Sequence, residues 1–144
     1  MKKALTWGVL IALCVAIFIS SGLSELPMPR RFWASLWIDK VLHVGAYFCL
    51  SVLAGVAARL SFTRWNAKAC AVFGCVMAGA YGASDEFHQS FTRWRTPDVL
   101  DFTADLTGAV IAALLVYVFY RVPRIAPAPV AEPTSPASSE NPCP

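Results

Sequence analysis

Four long apolar stretches, separated by shorter polar segments, dominate the pattern of hydrophobic and polar positions along the chain. They cover Ala4–Gly22, Ile38–Ala58, Ala67–Ser84 and Thr103–Tyr120. Each stretch is long enough to cross a hydrocarbon core of about 30 Å as a helix. Because the stretches are continuous and do not alternate with polar residues, they favour helices over the strands of a membrane barrel. The pattern therefore predicts an all-α membrane bundle of four transmembrane helices.

Two of these stretches carry further information. The first also resembles a secretory signal peptide, since Lys2 and Lys3 precede it and Ser20-Ser21-Gly22 resembles a cleavage site. Its apolar part is longer than the usual signal core of about 7–15 residues, so we expect an uncleaved helix. The third stretch is rich in glycine and alanine, which allow helices to approach closely. We therefore expect the third helix to be central to the bundle.

Composition agrees with a membrane location. The chain is 57% hydrophobic and 15% charged, whereas soluble domains carry about 25% charged residues. The net charge is +3, and the Lys and Arg residues are spread beside the apolar stretches as helix-end anchors. The expected partners are therefore membrane lipids and not nucleic acid. The five cysteines include no CxxC pair, and the sequence specifies no cofactor.

The ends of the chain and its loops predict an organisation and an orientation. Residues 1–122 are expected to form the membrane domain, and residues 123–144, rich in Pro, Ala and Ser, a disordered tail. With a cytoplasmic N-terminus, the inner ends carry seven basic residues and the outer ends five, a modest positive-inside bias. The prediction is a multi-pass protein of the bacterial cytoplasmic (inner) membrane, with both termini in the cytoplasm.

Polar clusters begin the second helix, end the third and begin the fourth, so all three lie on one side of the membrane whichever way the protein inserts. Asp39 and His43 have i,i+4 spacing, as do Asp101 and Asp105, which places each pair on one helix face. Ionisable residues near the hydrocarbon edge usually pair or line a watery pocket. Helix-end anchoring and solvated ion pairs are the structural alternative. We favour a functional site because the polar residues converge from three helices.

The cluster offers acid–base and binding groups but no established catalytic motif. Imidazoles titrate near neutral pH and can act as general acids or bases, and a carboxylate can assist them. The candidate catalytic residues are His43, His88, Glu86 and Asp85. The candidate substrate-binding residues are Asp39, Lys40, Tyr47, Gln89, Arg93, Arg95, Asp98, Asp101 and Asp105. Carboxylates and imidazoles could also hold a divalent cation, but their spacing fits no specific metal motif, so no metal ligands are predicted.

Two motifs resemble those of the VanZ-like family of bacterial integral membrane proteins. The first follows the pattern DKxxHxxxY from Asp39 to Tyr47, and the second follows DExxQxFxxxRxxDxxD from Asp85 to Asp101. The resemblance covers about residues 38–115. It implies a small bundle of membrane helices in which the motif positions are functional. The family is named for a protein linked to low-level teicoplanin resistance, and the resemblance supplies no reaction.

This chain also departs from the family pattern. Arg93-Trp94 stands where Pro-Gly is frequent, which adds a cation and changes the turn, and Asp105 stands where Asn is frequent. The leading hypothesis is an envelope protein whose outward-facing polar site binds a lipid-linked, phosphorylated or glycosylated group. A membrane hydrolase or transferase acting on a lipid phosphate, and a non-catalytic accessory protein, remain open as alternatives. The sequence does not decide whether the protein is an enzyme.

Overall fold

The computed structural model describes residues 1–22, 36–91 and 98–121, and in these ranges the chain forms four helices. They are α1 (Lys2–Gly22), α2 (Leu36–Ser61), α3 (Ala67–Gln89) and α4 (Val99–Arg121). Each is long and apolar enough to cross a membrane. The prediction of an all-α bundle of four transmembrane helices is therefore confirmed. The tail predicted to be disordered, residues 123–144, lies outside the described residues.

The helices extend beyond the apolar stretches at both membrane surfaces. The largest extension is at the end of α3, where Asp85–Gln89 is helical although the apolar stretch ends at Ser84. Hydropathy detects only the part of a helix in contact with hydrocarbon, and polar residues continue the helix where other helices can pair with them. At its other end, α3 begins with Asn66 as the N-cap, whose side chain accepts a hydrogen bond from the Ala69 amide at 2.8 Å.

Small residues hold the helices together, while many of the large aliphatic side chains point outward. The buried positions of α4 include Ala104, Gly108, Ala109 and Ala112. A Cβ added at Gly108 would collide with the Val44 carbonyl oxygen, so the α2 and α4 backbones touch there. Close approach of this kind is how membrane helices gain packing energy without a hydrophobic driving force between them.

The most central helix is α2, which packs extensively against α1, α3 and α4. The glycine-rich α3 touches α1 only slightly, and the expectation that α3 is central therefore needs correction. The Trp7 indole near the start of α1 donates to the Ser61 hydroxyl at the end of α2, at 2.9 Å, so α1 and α2 are antiparallel. The close approaches of Gly74 and Gly82 to α2, and of Gly79 and Gly82 to α4, show the same for α2 with α3 and for α3 with α4. This topology brings the end of α1, the start of α2, the end of α3 and the start of α4 to one end of the bundle.

Candidate functional site

Among the described residues, charge is distributed very unevenly between the two ends of the bundle. Every acidic residue within the described ranges lies at the end just defined, which is called the polar end below. These residues are Asp39, Asp85, Glu86, Asp98, Asp101 and Asp105. Of the described lysines and arginines, Lys40 alone joins them, and the others lie at the opposite end: Lys2, Lys3, Arg59, Arg64, Lys68 and Arg121. The polar clusters predicted to share one side therefore do so.

A hydrogen bond between α2 and α4 joins His43 and Asp105. The distance from His43 Nδ1 to Asp105 Oδ1 is 2.9 Å, and the Asp105 side chain is 1% exposed. Since a carboxylate oxygen accepts, we assign the proton to Nδ1. His43 Nε2 lies 3.8 Å from Asp101 Oδ1. Asp39, one turn before His43 on the same helix, makes its described ion pair with Lys40 instead. The imidazole is thus oriented from the facing helix.

Lys40 forms the centre of an ion-pair cluster with three carboxylates. Its ammonium donates to Asp98 Oδ2 at 3.0 Å and also to Asp101 Oδ1, and it lies 3.6 Å from Asp39 Oδ2. The side chain of Asp101 is buried, so its charge would be costly without this partner. The cluster joins the start of α2 to the start of α4. It also pairs the Lys40 ammonium with carboxylates of the protein itself.

A third buried carboxylate, Asp85, is held by α1 and by its own helix. Asp85 Oδ1 accepts from the Ser21 hydroxyl at 2.5 Å, and Oδ2 accepts from Gln89 Nε2 at 3.2 Å. Hydrogen bonds to an ionised acceptor are the stronger ones in proteins. The bond from Ser21 fixes the end of α1 against the end of α3.

Glu86 and Asp98 connect the end of α3 to the start of α4. Glu86 Oε2 accepts from the Asp98 amide at 3.0 Å. Asp98 is the N-cap of α4, because its Oδ1 accepts from the Leu100 amide at 2.9 Å. The pKa of Asp98 lies below its ordinary value, since that amide and then the Lys40 ammonium stabilise the ionised carboxylate. One oxygen of Glu86, a candidate catalytic residue, therefore has a structural role.

A cavity of about 260 Å³ opens between α1, α2 and α3 at the polar end. Its lining combines carboxylate, imidazole, amide and hydroxyl groups with three apolar side chains. The residues are Ile17, Ser20, Ser21, Asp39, Leu42, His43, Ala46, Tyr47, Asp85 and Gln89. Five of the predicted site residues thus face one space together. These five are Asp39, His43, Tyr47, Asp85 and Gln89.

Other predicted site residues lie elsewhere. The His88 ring packs against the Phe18 ring, with centroids 4.2 Å apart, and His88 does not line the cavity. Lys40, Asp98, Asp101 and Asp105 lie on the α4 side of His43 and are not part of the cavity lining, although Asp105 also lies close to Tyr47. Arg93 and Arg95 lie outside the described residues. The site roles of all these residues stay predictions.

One set of side chains has the geometry of a metal site. Ligand atoms of Asp39, His43 and Asp101 lie within 4.8 Å of one another. Imidazole and carboxylate ligands suit several divalent ions. However, the Lys40 ammonium already contacts Asp101 and lies beside Asp39. These three side chains therefore suit a cation, and the Lys40 ammonium is the cation that contacts their carboxylates in this structure.

Sequence reasoning missed the contribution of α1. Ser20 and Ser21 line the cavity, and Ser21 donates to Asp85 across the bundle. The available signal was position: both hydroxyls end an apolar helix on the same membrane side as the acids. In the sequence, these serines stand out only because Ser20-Ser21-Gly22 resembles a signal-peptide cleavage site.

Comparison with known proteins gives one informative relative. The chain is 32% identical to the uncharacterised protein C11E3.10 of Schizosaccharomyces pombe, and the match covers 78% of this chain and 65% of the relative. The chain thus spans slightly less than two thirds of the relative's length. No solved structure matches the chain.

The family comparison agrees with the sequence motifs. The family model described as VanZ/LLP1 matches residues 6–120, which include all four helices almost completely and every residue of the polar end. This range is wider than the resemblance at about residues 38–115, because it includes α1. The chain belongs to the VanZ/LLP1 family.

Proposed function

We propose that this protein is a cell-envelope membrane protein whose polar end binds a lipid-linked headgroup that is phosphorylated or glycosylated. The cavity between α1, α2 and α3 carries the proposal. It joins polar groups such as His43 and Asp85 to the apolar side chains of Ile17 and Leu42. An amphipathic lining of this kind suits a molecule with a polar head and an apolar chain.

Burial and pairing at the polar end also support a binding role. Asp85, Asp101 and Asp105 are all buried near the membrane surface, where ionisable groups are expensive. Fixing the end of a helix needs one cap and not three buried carboxylates from two helices. In the proposed function, these charges hold the cavity walls in place for the headgroup.

We place the polar end on the outer side of the membrane, with both termini in the cytoplasm. The supporting observation is the cluster of lysines and arginines at the opposite end of the bundle, including Arg59, Arg64 and Lys68. Basic residues close to helix ends favour the cytoplasmic side. In a bacterial inner membrane, the cavity would then face the compartment that contains envelope precursors.

The binding proposal is tested by photo-cross-linking from the cavity. A photoreactive residue at Leu42, which lines the cavity and is 49% exposed, should capture one headgroup class in excess over its share of membrane lipid. The matched control is Val118, which is 56% exposed near the other end of α4. Mass spectrometry of the adducts decides the result. If Leu42 captures the same lipids as Val118, in their bulk proportions, the proposal is wrong.

A second candidate is a membrane hydrolase or transferase acting on a lipid phosphate. The observation that favours it is the His43–Asp105 pair, in which a buried carboxylate orients an imidazole that lines the cavity. Such a pair can act as a general base. Turnover of a lipid phosphate by purified protein, abolished in His43→Gln, would favour this candidate. Binding without turnover would favour a non-catalytic accessory protein.

A link to glycopeptide susceptibility is part of the proposal. If the polar end changes exposure of a lipid-linked precursor, expression should raise the teicoplanin concentration needed to inhibit growth. The His43→Gln variant should lose the effect at equal membrane abundance. Equal teicoplanin susceptibility with and without the protein would contradict the link to glycopeptides. It would not contradict headgroup binding, which the cross-linking experiment tests.

A further inference from the structure

The hydroxyl of Tyr47 is buried, and no described residue forms a hydrogen bond with it. Tyr47 lines the cavity and is 1% exposed, so bulk water does not reach it freely. The hydroxyl of Tyr81, by contrast, donates to the Cys14 carbonyl at 2.5 Å. Buried hydroxyls in proteins are nearly always paired, and an unpaired one needs an explanation. A partner from outside the chain is one explanation for Tyr47.

A carboxylate oxygen close to Tyr47 is in the same condition. Asp105 Oδ1 is bound to His43, but Asp105 Oδ2 is buried and has no partner among residues 1–22, 36–91 and 98–121. A Cβ built on Gly82 would lie 3.1 Å from Asp105 Oδ2 and 3.2 Å from Tyr47 Cε1, so both side chains lie against the same point of α3. A carboxylate oxygen can only accept, and the unmet demand there is for a hydrogen-bond donor.

The cavity wall as a whole is rich in acceptors. Asp39 and Asp85 contribute carboxylates, and Ser20 and Ser21 contribute hydroxyls. Among the described residues, the lining includes neither lysine nor arginine, because Lys40 is bound to Asp98 and Asp101. Carboxylates and phosphates are both negatively charged and repel each other, so this wall disfavours a phosphate. It favours a ligand that brings several donors of its own.

The size of the cavity fits one small polar group. Its volume of about 260 Å³ leaves room for several water molecules. The apolar side chains of Ile17, Leu42 and Ala46 complete the wall, and the carbon skeleton of a ring could lie against them. A group with hydroxyls around a compact carbon skeleton meets all of these conditions.

We propose that the cavity binds the hydroxyl groups of a glycosyl or polyol headgroup, with Tyr47 as a contact residue, and that any phosphate of the same lipid lies outside it. This proposal rests on headgroup binding at the polar end and narrows the headgroup to the glycosylated class. Lipid-linked and free sugars share this chemistry, and the experiment includes both.

The test compares three ligands with the purified protein in detergent. They are a monoglucosyl diacylglycerol, a phosphatidic acid with the same acyl chains, and free glucose. Native mass spectrometry and the thermal midpoint report binding. The glucosyl lipid is expected to bind at least tenfold more tightly than phosphatidic acid, and to raise the midpoint. Free glucose should compete weakly if the sugar is the part recognised.

Two tyrosine variants identify the contact. Tyr47→Phe should bind the glucosyl lipid about tenfold more weakly, while the ligand-free variant keeps its thermal midpoint or gains a few degrees, because an unpaired buried hydroxyl has been removed. Tyr81→Phe is the matched control. It should lower the midpoint, since a paired hydroxyl is lost, and leave affinity unchanged.

The outcomes separate this proposal from the one it rests on. If neither lipid binds above the level of a diacylglycerol with the same chains, headgroup binding itself fails. If phosphatidic acid binds as tightly as the glucosyl lipid, or more tightly, headgroup binding survives and the glycosyl proposal is wrong. If Tyr47→Phe folds and binds the glucosyl lipid as tightly as the native protein, Tyr47 is not a contact and its hydroxyl is satisfied by water.

Discussion

The imidazole of His43 is hydrogen-bonded to the carboxylate of Asp105, 62 residues away in the sequence, with 2.9 Å between Nδ1 and Oδ1. The bond crosses the interface of α2 and α4, the most extensive contact in the bundle. Both partners lie within helices long enough to cross the membrane, where a lone polar group finds little water. The pair therefore links the cavity wall to the packing of the fold.

A double-mutant cycle should measure this link. We expect His43→Ala and Asp105→Ala to be coupled by about 1 kcal/mol in unfolding free energy, since side-chain hydrogen bonds in membrane proteins average about 0.6 and reach about 1.7 kcal/mol. Reversible unfolding in mixed micelles gives the four values. Ser61→Ala, at the opposite end of α2, is the control partner for His43→Ala. Additive effects at both pairs would contradict a stabilising bond.

Close packing of α2 on α4 gives a second prediction. Gly108→Ala should destabilise the bundle by about 1–3 kcal/mol, because its methyl group would collide with the Val44 carbonyl and lie 3.0 Å from the Phe48 amide nitrogen. Gly45→Ala is the control, since a methyl group there meets nothing within 4 Å. That variant should be neutral or slightly more stable. Equal losses in unfolding free energy would show that the helices do not touch at Gly108.

The sequence predicts much of this arrangement, because apolar length marks each membrane helix and polar residues mark the helix ends. It cannot predict helix rotation, which decides what each polar side chain meets. Gln89 and His88 are neighbours on α3, yet Gln89 lines the cavity and His88 packs on Phe18. Asp39 shares a helix face with His43, but Asp105 on another helix is the residue that binds the imidazole. Tertiary packing alone supplies that information.

The N-cap of α4 makes stability depend on pH. The pKa of Asp98 is lowered in the folded protein from an ordinary value of 3.8, so its ionised form stabilises the fold above that value, and this contribution is lost as the pH falls through the lowered pKa. Asp98→Asn retains a capping side chain but lacks the charge that pairs with Lys40. The native protein should have the higher thermal midpoint at pH 7, and the difference should shrink as the pH falls below 3.8.

Salt separates the ion pair between Asp98 and Lys40 from the helix-capping hydrogen bond of Asp98, because salt weakens only the ion pair strongly. Raising the ionic strength to about 1 M shortens the screening length to about 3 Å and should reduce the difference between Asp98 and Asp98→Asn at pH 7. A difference that stays constant from pH 3 to pH 7 would contradict an ionic contribution from Asp98.

Lys40 gives a prediction about metal ions. Its ammonium is bound to Asp101 and lies beside Asp39, two of the three side chains with metal-site geometry. Lys40→Met should therefore bind Mn²⁺ at least tenfold more tightly than the native protein, as measured by the loss of free Mn²⁺ signal in electron paramagnetic resonance. Lys68→Met, at the end of the bundle opposite the polar end (the basic end), should not change Mn²⁺ binding. Unchanged affinity in Lys40→Met would mean that the ammonium does not compete for these ligands.

The polar end is proposed to lie at the outer face of the membrane, where the headgroup is bound. Cysteine labelling in right-side-out vesicles tests it directly, in a variant from which the five native cysteines have been removed. Ser90 is exposed at the polar end and Thr63 is exposed at the basic end. A membrane-impermeant maleimide should label Ser90→Cys in sealed vesicles and Thr63→Cys only after they are opened. Labelling of Thr63→Cys in sealed vesicles, with Ser90→Cys protected, would contradict the account.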